Sequence, residues 1–120
     1  MDVSMMGKLL AVFVGSGLGG VCRWGVSQVC QASWPAGTLV VNVVGCFLLG
    51  LLNRMMPGSE QVRLLLMTGF CGGFTTFSTF MNEGASLMKN EHYTYMMLYL
   101  FGSLALGLIA VLVGHQLAKL

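Results

Sequence analysis

Four long apolar runs follow one another along the chain, each interrupted by few polar positions. Crossing the hydrocarbon core of a bilayer takes ~20 helical residues rising ~1.5 Å each, and each run is of that order. The first covers about 5–22, with Lys8 near one end and Arg23 near the other. Within it Gly15 and Gly19 form a G-x-x-x-G, and Ser16 and Gly20 repeat the spacing one residue on. Small residues at this interval let helix backbones approach closely in lipid. A mixed stretch follows, in which Trp24 and Trp34 suit the interfacial belt.

The second run covers about 36–52 and is stopped by Asn53, Arg54 and the Pro57-Gly58 turn. Thr38, Asn42 and Gly45 stand at i, i+4 and i+7 and share a helix face, with Asn42 as the one strongly polar residue near the middle. The third run starts after Glu60 and reaches about Met81. Gly69, Gly72 and Gly73 cluster in it, ahead of Thr75, Thr76, Ser78 and Thr79. Each glycine weakens a helix by about 1 kcal/mol relative to alanine, so the third helix is expected to break at its centre. In lipid a break is tolerated only where protein or a watery cavity receives the freed backbone groups. It therefore belongs in the protein interior, at a symmetry axis or a site. The fourth run covers about 93–117, with Tyr99, Ser103 and Gly107 spaced by four as one polar-to-small stripe.

Composition agrees with this pattern. Of 120 residues, 56% are hydrophobic and 8% charged, against about 25% charged in a soluble domain. Four spans with short connections use nearly the whole chain, so the expected architecture is all-α: a single four-helix transmembrane domain over 1–120. The first apolar run leads straight into another and reads as a retained helix rather than a secretory signal. A net charge of +2 is too small to imply a nucleic-acid partner. Cys22, Cys30, Cys46 and Cys71 form no C-x-x-C pair and read as small apolar residues at helix contacts. With the N-terminus inside, Lys8, Arg54, Arg63 and Lys119 fall on the inner side, and Arg23 and Lys89 on the outer. That is a weak positive-inside bias, and a chain with so little bias could insert both ways, permitting antiparallel dimers.

The chemistry is defined first by what is missing. The sequence has no phosphate-binding loop, no metal-ligand cluster and no Ser/His/Asp arrangement, and His92 and His115 are isolated. No carboxylate falls in the middle of a span, and Glu83 sits at the end of the third. A proton-coupled or cation-exporting transporter needs such a group to bind and release its ion. The chain is therefore poorly equipped as an enzyme, pump or cation antiporter. What remains is a set of neutral donors in apolar helices: Asn42, Ser78, Thr79, Tyr99 and Ser103. A single Ser or Thr in such a helix usually bonds its own i−4 carbonyl. Asn42 is different, because its amide has two donors and an acceptor to satisfy in hydrocarbon. Several donors on three helices favour a polar track, with interhelical bonding as the competing reading.

Phe70, Phe74 and Phe77 lie at i, i+4 and i+7, and Phe80 follows Phe77 by three. A stripe at this spacing is more often packing than function. Phe77 and Phe80, however, are interleaved with Thr76, Ser78 and Thr79 just after the expected break. Aromatic rings carry positive potential at their edges. Ring edges can line an anion path without the tight grip of a cation, and conduction requires that weakness. Donors and ring edges without a carboxylate make a small anion the sensible permeant. Carbonyls released around Gly72 and Thr75 could converge on a monovalent cation, or the kink could be satisfied by neighbouring helices. Arg23 likewise has two readings, a side chain snorkelling to the headgroups or a cation at a pore mouth.

The run Gly69-Phe70-Cys71-Gly72-Gly73-Phe74-Thr75-Thr76-Phe77-Ser78-Thr79-Phe80 resembles the CrcB/Fluc fluoride channels. Gly37-Thr38-Leu39-Val40-Val41-Asn42-Val43-Val44-Gly45 and Gly19-Gly20-Val21-Cys22-Arg23-Trp24 support the likeness, which covers the whole chain in order. The resemblance implies a dual-topology antiparallel homodimer in the prokaryotic plasma (inner) membrane, with two pores and a structural sodium ion that is not transported. It implies that the carbonyls of Gly72 and Thr75 hold that sodium. It places Phe77 and Phe80 as the aromatic pair, Asn42 as the pore asparagine, and Ser78 and Thr79 as hydroxyls near the anion. Tyr99 and Ser103 would form the polar track of the fourth helix, with Gly107 where some relatives carry a further hydroxyl. Thr38 shares the Asn42 face, and Arg23 and Glu83 match positions near the pore ends. The implied function is passive export of cytoplasmic fluoride. A small multidrug-type four-helix exporter is the alternative; it would need a carboxylate in the first span, and none lies between Asp2 and Arg23.

Overall fold

The fold is seen in a computed structural model, which describes residues 3–30, 35–55 and 58–119, the side chains of Ser78 and Thr79 excepted. Trp34, Pro57 and Asp2 lie outside the described residues. Among those residues all regular structure is helical. Helix α1 (Val3–Val29) begins close to the first apolar run but continues seven residues past Cys22, through Arg23 and Trp24. Helix α2 (Ala36–Met55) begins at the residue after Pro35, whose ring cannot continue a helix before it. Both helices, and the last helix α6 (Tyr93–Leu117), are long and apolar enough to cross a membrane, with mean hydropathies of 1.6, 1.9 and 2.4 in chain order. The bounds of α6 coincide with those of the fourth apolar run.

The third run folds differently from an uninterrupted rod. It opens with α3 (Glu60–Arg63), capped by the Ser59 hydroxyl, which accepts from the Gln61 N–H at 3.2 Å. Glu60 in that first turn favours the positive helix end. A π-helical stretch (Leu64–Cys71) and a short α4 (Gly72–Phe74) continue it without a gap. At Thr75 the backbone becomes extended (φ −88°, ψ 159°), and it returns to helical values at Phe77 before α5 (Ser78–Lys89). Glu91, at φ 62°, makes the turn into α6. The expected Phe70, Phe74, Phe77 stripe is therefore corrected. Phe70 and Phe74 stack at 5.7 Å, but the chain leaves helical geometry after Phe74 and Phe77 departs from the stripe.

Two seams assemble these helices, each built on glycine. An added Cβ at Gly15 would meet the Leu65 carbonyl oxygen and, at 2.9 Å, the Cα of Gly69; one at Gly19 would meet the Phe70 carbonyl oxygen and, at 2.8 Å, the Phe74 nitrogen. Contact positions rise together along both elements, so α1 and the 60–74 segment run parallel. Lys8 and Glu60 pair at 3.2 Å near the start of the seam. The second seam joins α2 to α6, where Gly50 faces the Val111 carbonyl and Gly114 the Phe47 carbonyl. Arg54 and His115 meet at 2.9 Å at its end. The buried core is thin: Val41, Cys71, Phe74, Phe80, Tyr99 and Ala110 are its apolar members among the described residues. The remaining apolar surface faces outward, as lipid or a second protein surface requires.

Candidate functional site: a groove at the interrupted segment

Ending a helix at Phe74 frees its last carbonyls, and restarting one at Ser78 frees new N–H groups. Their partners come from three directions. The Cys71 carbonyl accepts both the Thr75 N–H at 3.0 Å and the Thr75 hydroxyl at 2.9 Å. The Gly73 carbonyl accepts from Arg23 Nε–H on α1 at 3.1 Å. Asn42 on α2 serves the Thr76 backbone twice, on the two peptide groups that meet at that residue: Oδ1 accepts the Thr76 N–H at 2.9 Å, and Nδ2–H donates to the Thr76 carbonyl at 3.2 Å. One turn along α2, Gly45 leaves room for the Thr75 methyl, which an added Cβ would strike. The Gly72 carbonyl receives no hydrogen bond from the described residues, and Gly72 is exposed.

The polarity across the interruption is ordered. Carbonyls at the C-terminal end of the 60–74 segment carry partial negative charge, and the first N–H groups of the 12-residue α5 carry partial positive charge. The site thus offers oxygen dipoles to a cation on one side and N–H dipoles to an anion on the other.

Beside the interruption lies a groove of about 460 Å³, lined by Asn42, Gly72, Thr75, Phe77, Phe80, Ser103 and Gly107 among others. Among the described residues no charged side chain lines it. A second groove of about 630 Å³ lies toward the α5–α6 turn, lined by His92, Tyr95, Tyr99 and again Ser103. Ser103 thus borders both, and its buried hydroxyl has no hydrogen-bond partner among the described residues. Such orphan hydroxyls are uncommon, because desolvating one without a partner costs free energy. Phe80, only 6% exposed, packs its ring 5.2 Å from Tyr99 at a 53° tilt and 6.3 Å from Phe77 at 49°. Tyr99 donates its hydroxyl to Glu83 at 3.1 Å, and the Thr38 side chain reaches the same hydroxyl.

The structure brings Asn42, Phe80, Tyr99 and Ser103 to the walls of these grooves, with Thr75 and Thr76 beside them; Thr38 lines neither groove and reaches them only through the Tyr99 hydroxyl. Ser78 and Thr79 open α5 next to the groove, their side chains lying outside the described residues. Phe77 lines the groove yet is 72% exposed, so its ring faces away from this chain's core. Arg23 is not among the lining residues; its guanidinium holds the Gly73 carbonyl from the α1 side. Sequence reasoning did not single out the Thr76 peptide, Thr68, Cys46 or Cys71, all of which reach the groove. Cys46 lies four residues from Asn42 and Cys71 four before Thr75, so helical spacing alone could have indicated them.

Comparison with known proteins gives a consistent result. Residues 10–115 match the family model described as CrcB-like protein, Camphor Resistance (CrcB). A protein of Chlorobium phaeobacteroides named fluoride-specific ion channel FluC is 44% identical over 119 residues, covering 93% of both chains. A protein of Phocaeicola vulgatus bearing the same name is 39% identical over 121 residues, covering 95% of this chain and 100% of the relative. Another, from Yersinia pseudotuberculosis and named fluoride-specific ion channel FluC 1, is 41% identical over 126 residues, covering 96% and 99%.

Proposed function

The chain belongs to the CrcB-like family, and from that premise we infer that it is a fluoride channel, multi-pass in the prokaryotic inner membrane, that passively lowers cytoplasmic fluoride. It is a membrane transport protein and not an enzyme. The observation that carries conduction is the pair of grooves joined at Ser103, whose buried hydroxyl is unpartnered among the described residues.

The physiology follows from acid–base chemistry. Neutral HF crosses membranes, dissociates in the more alkaline cytoplasm and leaves fluoride trapped as an anion. A membrane potential negative inside then expels it at ~2.3 kcal/mol per charge per 100 mV. No coupling carboxylate is required for this. Neutral donors and ring edges replace part of the hydration shell without binding so tightly that the ion cannot leave. In this reading the anion path is lined by Thr38, Asn42, Phe77, Ser78, Thr79, Phe80, Tyr99 and Ser103. The contacts of Phe80 with Tyr99 and of Asn42 with the Thr76 peptide support it. Arg23, assigned to the same pathway by the resemblance, is supported at the back of the interruption by its bond to Gly73.

Residues 1–120 are read as one channel domain in which the halves 60–74 and 78–89 together make the third of four crossings. A dual-topology antiparallel homodimer completes the proposal. The outward ring of Phe77 and the exposed Gly72 support a second copy at this face. The donor set also fits a structural sodium ion: the Gly72 carbonyl lacks a donor among the described residues, and at Thr75 the backbone leaves helical geometry for an extended one. Neutral carbonyl oxygens suit a hard monovalent cation. Such an ion would offset the carbonyl dipoles where two copies meet, while Asn42 and Arg23 hold the rest of the interruption.

The test is efflux from liposomes containing the purified protein. Fluoride should leave far faster than chloride; equal or absent fluxes would overturn the assignment.

A further inference from the structure

The geometry around Thr76 points to a role for Asn42 beyond lining a path. We infer that Asn42 is a positioning residue that stands in for a neighbouring backbone, holding the N–H and C=O of Thr76 and thereby setting the ring edges of Phe77 and Phe80. The inference rests on the fluoride-channel reading and concerns how its selectivity is built.

Thr76 lies where the chain has no helical ladder, between an extended Thr75 and the restart at Ser78. Its N–H and C=O therefore stand outside any helical ladder. The Asn42 side chain supplies both an acceptor and a donor, at 2.9 Å and 3.2 Å, in the paired geometry that one strand offers another. A primary amide is the smallest side chain with both groups on one rigid plane. Glutamine places the same groups one methylene farther out, serine has a single short hydroxyl, and aspartate has no donor.

The surroundings make this grip directional. Gly45, three residues along α2, abuts the Thr75 methyl, so α2 bears on the interruption at two successive positions. From the opposite side Arg23 donates to the Gly73 carbonyl at 3.1 Å. The 73–74 peptide before Thr75 and the 75–76 peptide after it are thus held by different helices. Phe77 follows Thr76 directly, and Phe80 stands one turn later with its ring against Tyr99. Rotation of the two peptides that meet at Thr76 would turn both rings. Asn42 also spends one of its two Nδ2 hydrogens and an Oδ1 lone pair on Thr76, leaving one amide hydrogen for the groove.

Asn42→Ser separates this role from direct contact with the ion. Its hydroxyl can still donate to an anion but cannot span both Thr76 groups. Hydrogen–deuterium exchange of the reconstituted protein reads the grip at peptides covering 74–81, and fluoride and chloride efflux read its consequence. The expected result is about tenfold faster exchange confined to 74–81, the size expected for losing a buried hydrogen bond, with a fallen fluoride-to-chloride flux ratio. Unchanged exchange with lost flux would make Asn42 an ion contact alone and overturn the inference. A uniform rise in exchange across α1, α2 and α6 would also overturn it, as a general loss of stability. Should the serine variant not assemble, Asn42→Gln takes its place with the same criteria. A wild-type protein that carries no fluoride would sink the channel reading, while the exchange experiment would still decide the grip.

Discussion

Replacing Gly19 by alanine puts a carbon atom where α1 already touches the interrupted segment. The new Cβ would meet the Phe70 carbonyl oxygen, the Phe74 nitrogen at 2.8 Å and the Gly73 carbonyl carbon at 3.1 Å. All three are backbone atoms, so no rotamer change relieves the contact. Restoring carbon contacts of ~3.5 Å requires α1 to withdraw by roughly 1 Å, which forfeits a quarter to a half of the dispersion along the seam. Overpacking of this kind costs about 1–3 kcal/mol. Alanine also gains up to ~1 kcal/mol over glycine in a helix, which would obscure a single measurement. Gly17 and Gly25 lie on the same helix and have no atom within 4 Å of an added Cβ. Comparing Gly19→Ala with Gly17→Ala or Gly25→Ala cancels the propensity gain and leaves the steric cost, a difference of about 1–3 kcal/mol. The assay is resistance to unfolding in a denaturing-detergent titration, paired with fluoride efflux. Flux should fall with stability, because Arg23 stands one turn beyond Gly19 and would be drawn from the Gly73 carbonyl. If the three variants unfold alike, the seam is not where the structure puts it.

Other consequences are as specific. Ser103→Ala removes a buried hydroxyl that has no partner among the described residues, so fluoride flux should fall while unfolding resistance holds or rises by up to ~1 kcal/mol. A clear loss of stability would mean the hydroxyl is a structural bond. Phe80→Ile keeps much of the buried volume but removes the ring held against Tyr99, and should abolish fluoride flux with the oligomer intact by size exclusion. Retained flux would take Phe80 out of the path. Exchanging sodium for a larger monovalent cation during purification should weaken assembly or flux, and indifference would remove the ion from the Gly72 and Thr75 carbonyls.

Much of this arrangement is legible in the chain, for identifiable reasons. The span 93–117 is readable because its apolar run is continuous and its ends are polar. The G-x-x-x-G at Gly15 and Gly19 is readable as a seam because lipid gives helices little else by which to associate. Helix α1 is less readable at its far end, where Arg23 and Trp24 look like an exit from the membrane yet the helix continues to Val29. The interruption is announced by clustered glycines, but its turning point is not a glycine: Gly72 and Gly73 stay helical and Thr75 becomes extended. The reason lies off the segment, in an Asn42 that rewards a non-helical Thr76 peptide and a Gly45 that accommodates the Thr75 methyl. Local propensity cannot express a partner 34 residues away. The same holds for Arg23, whose sequence position indicates a cation near an interface but whose role depends on the Gly73 carbonyl. Identifying the anion as fluoride required kinship, since neutral donors and ring edges define a class of permeant rather than a single ion.

Conduction of fluoride itself is tested most directly by the reversal potential of purified protein in a planar bilayer. With a tenfold fluoride gradient, symmetrical pH and an impermeant counter-ion, current should reverse near ~59 mV, the value for one charge per ion, and adding a pH gradient should not move it. A reversal that follows the proton or chloride gradient, or no fluoride current at all, would contradict passive selective conduction.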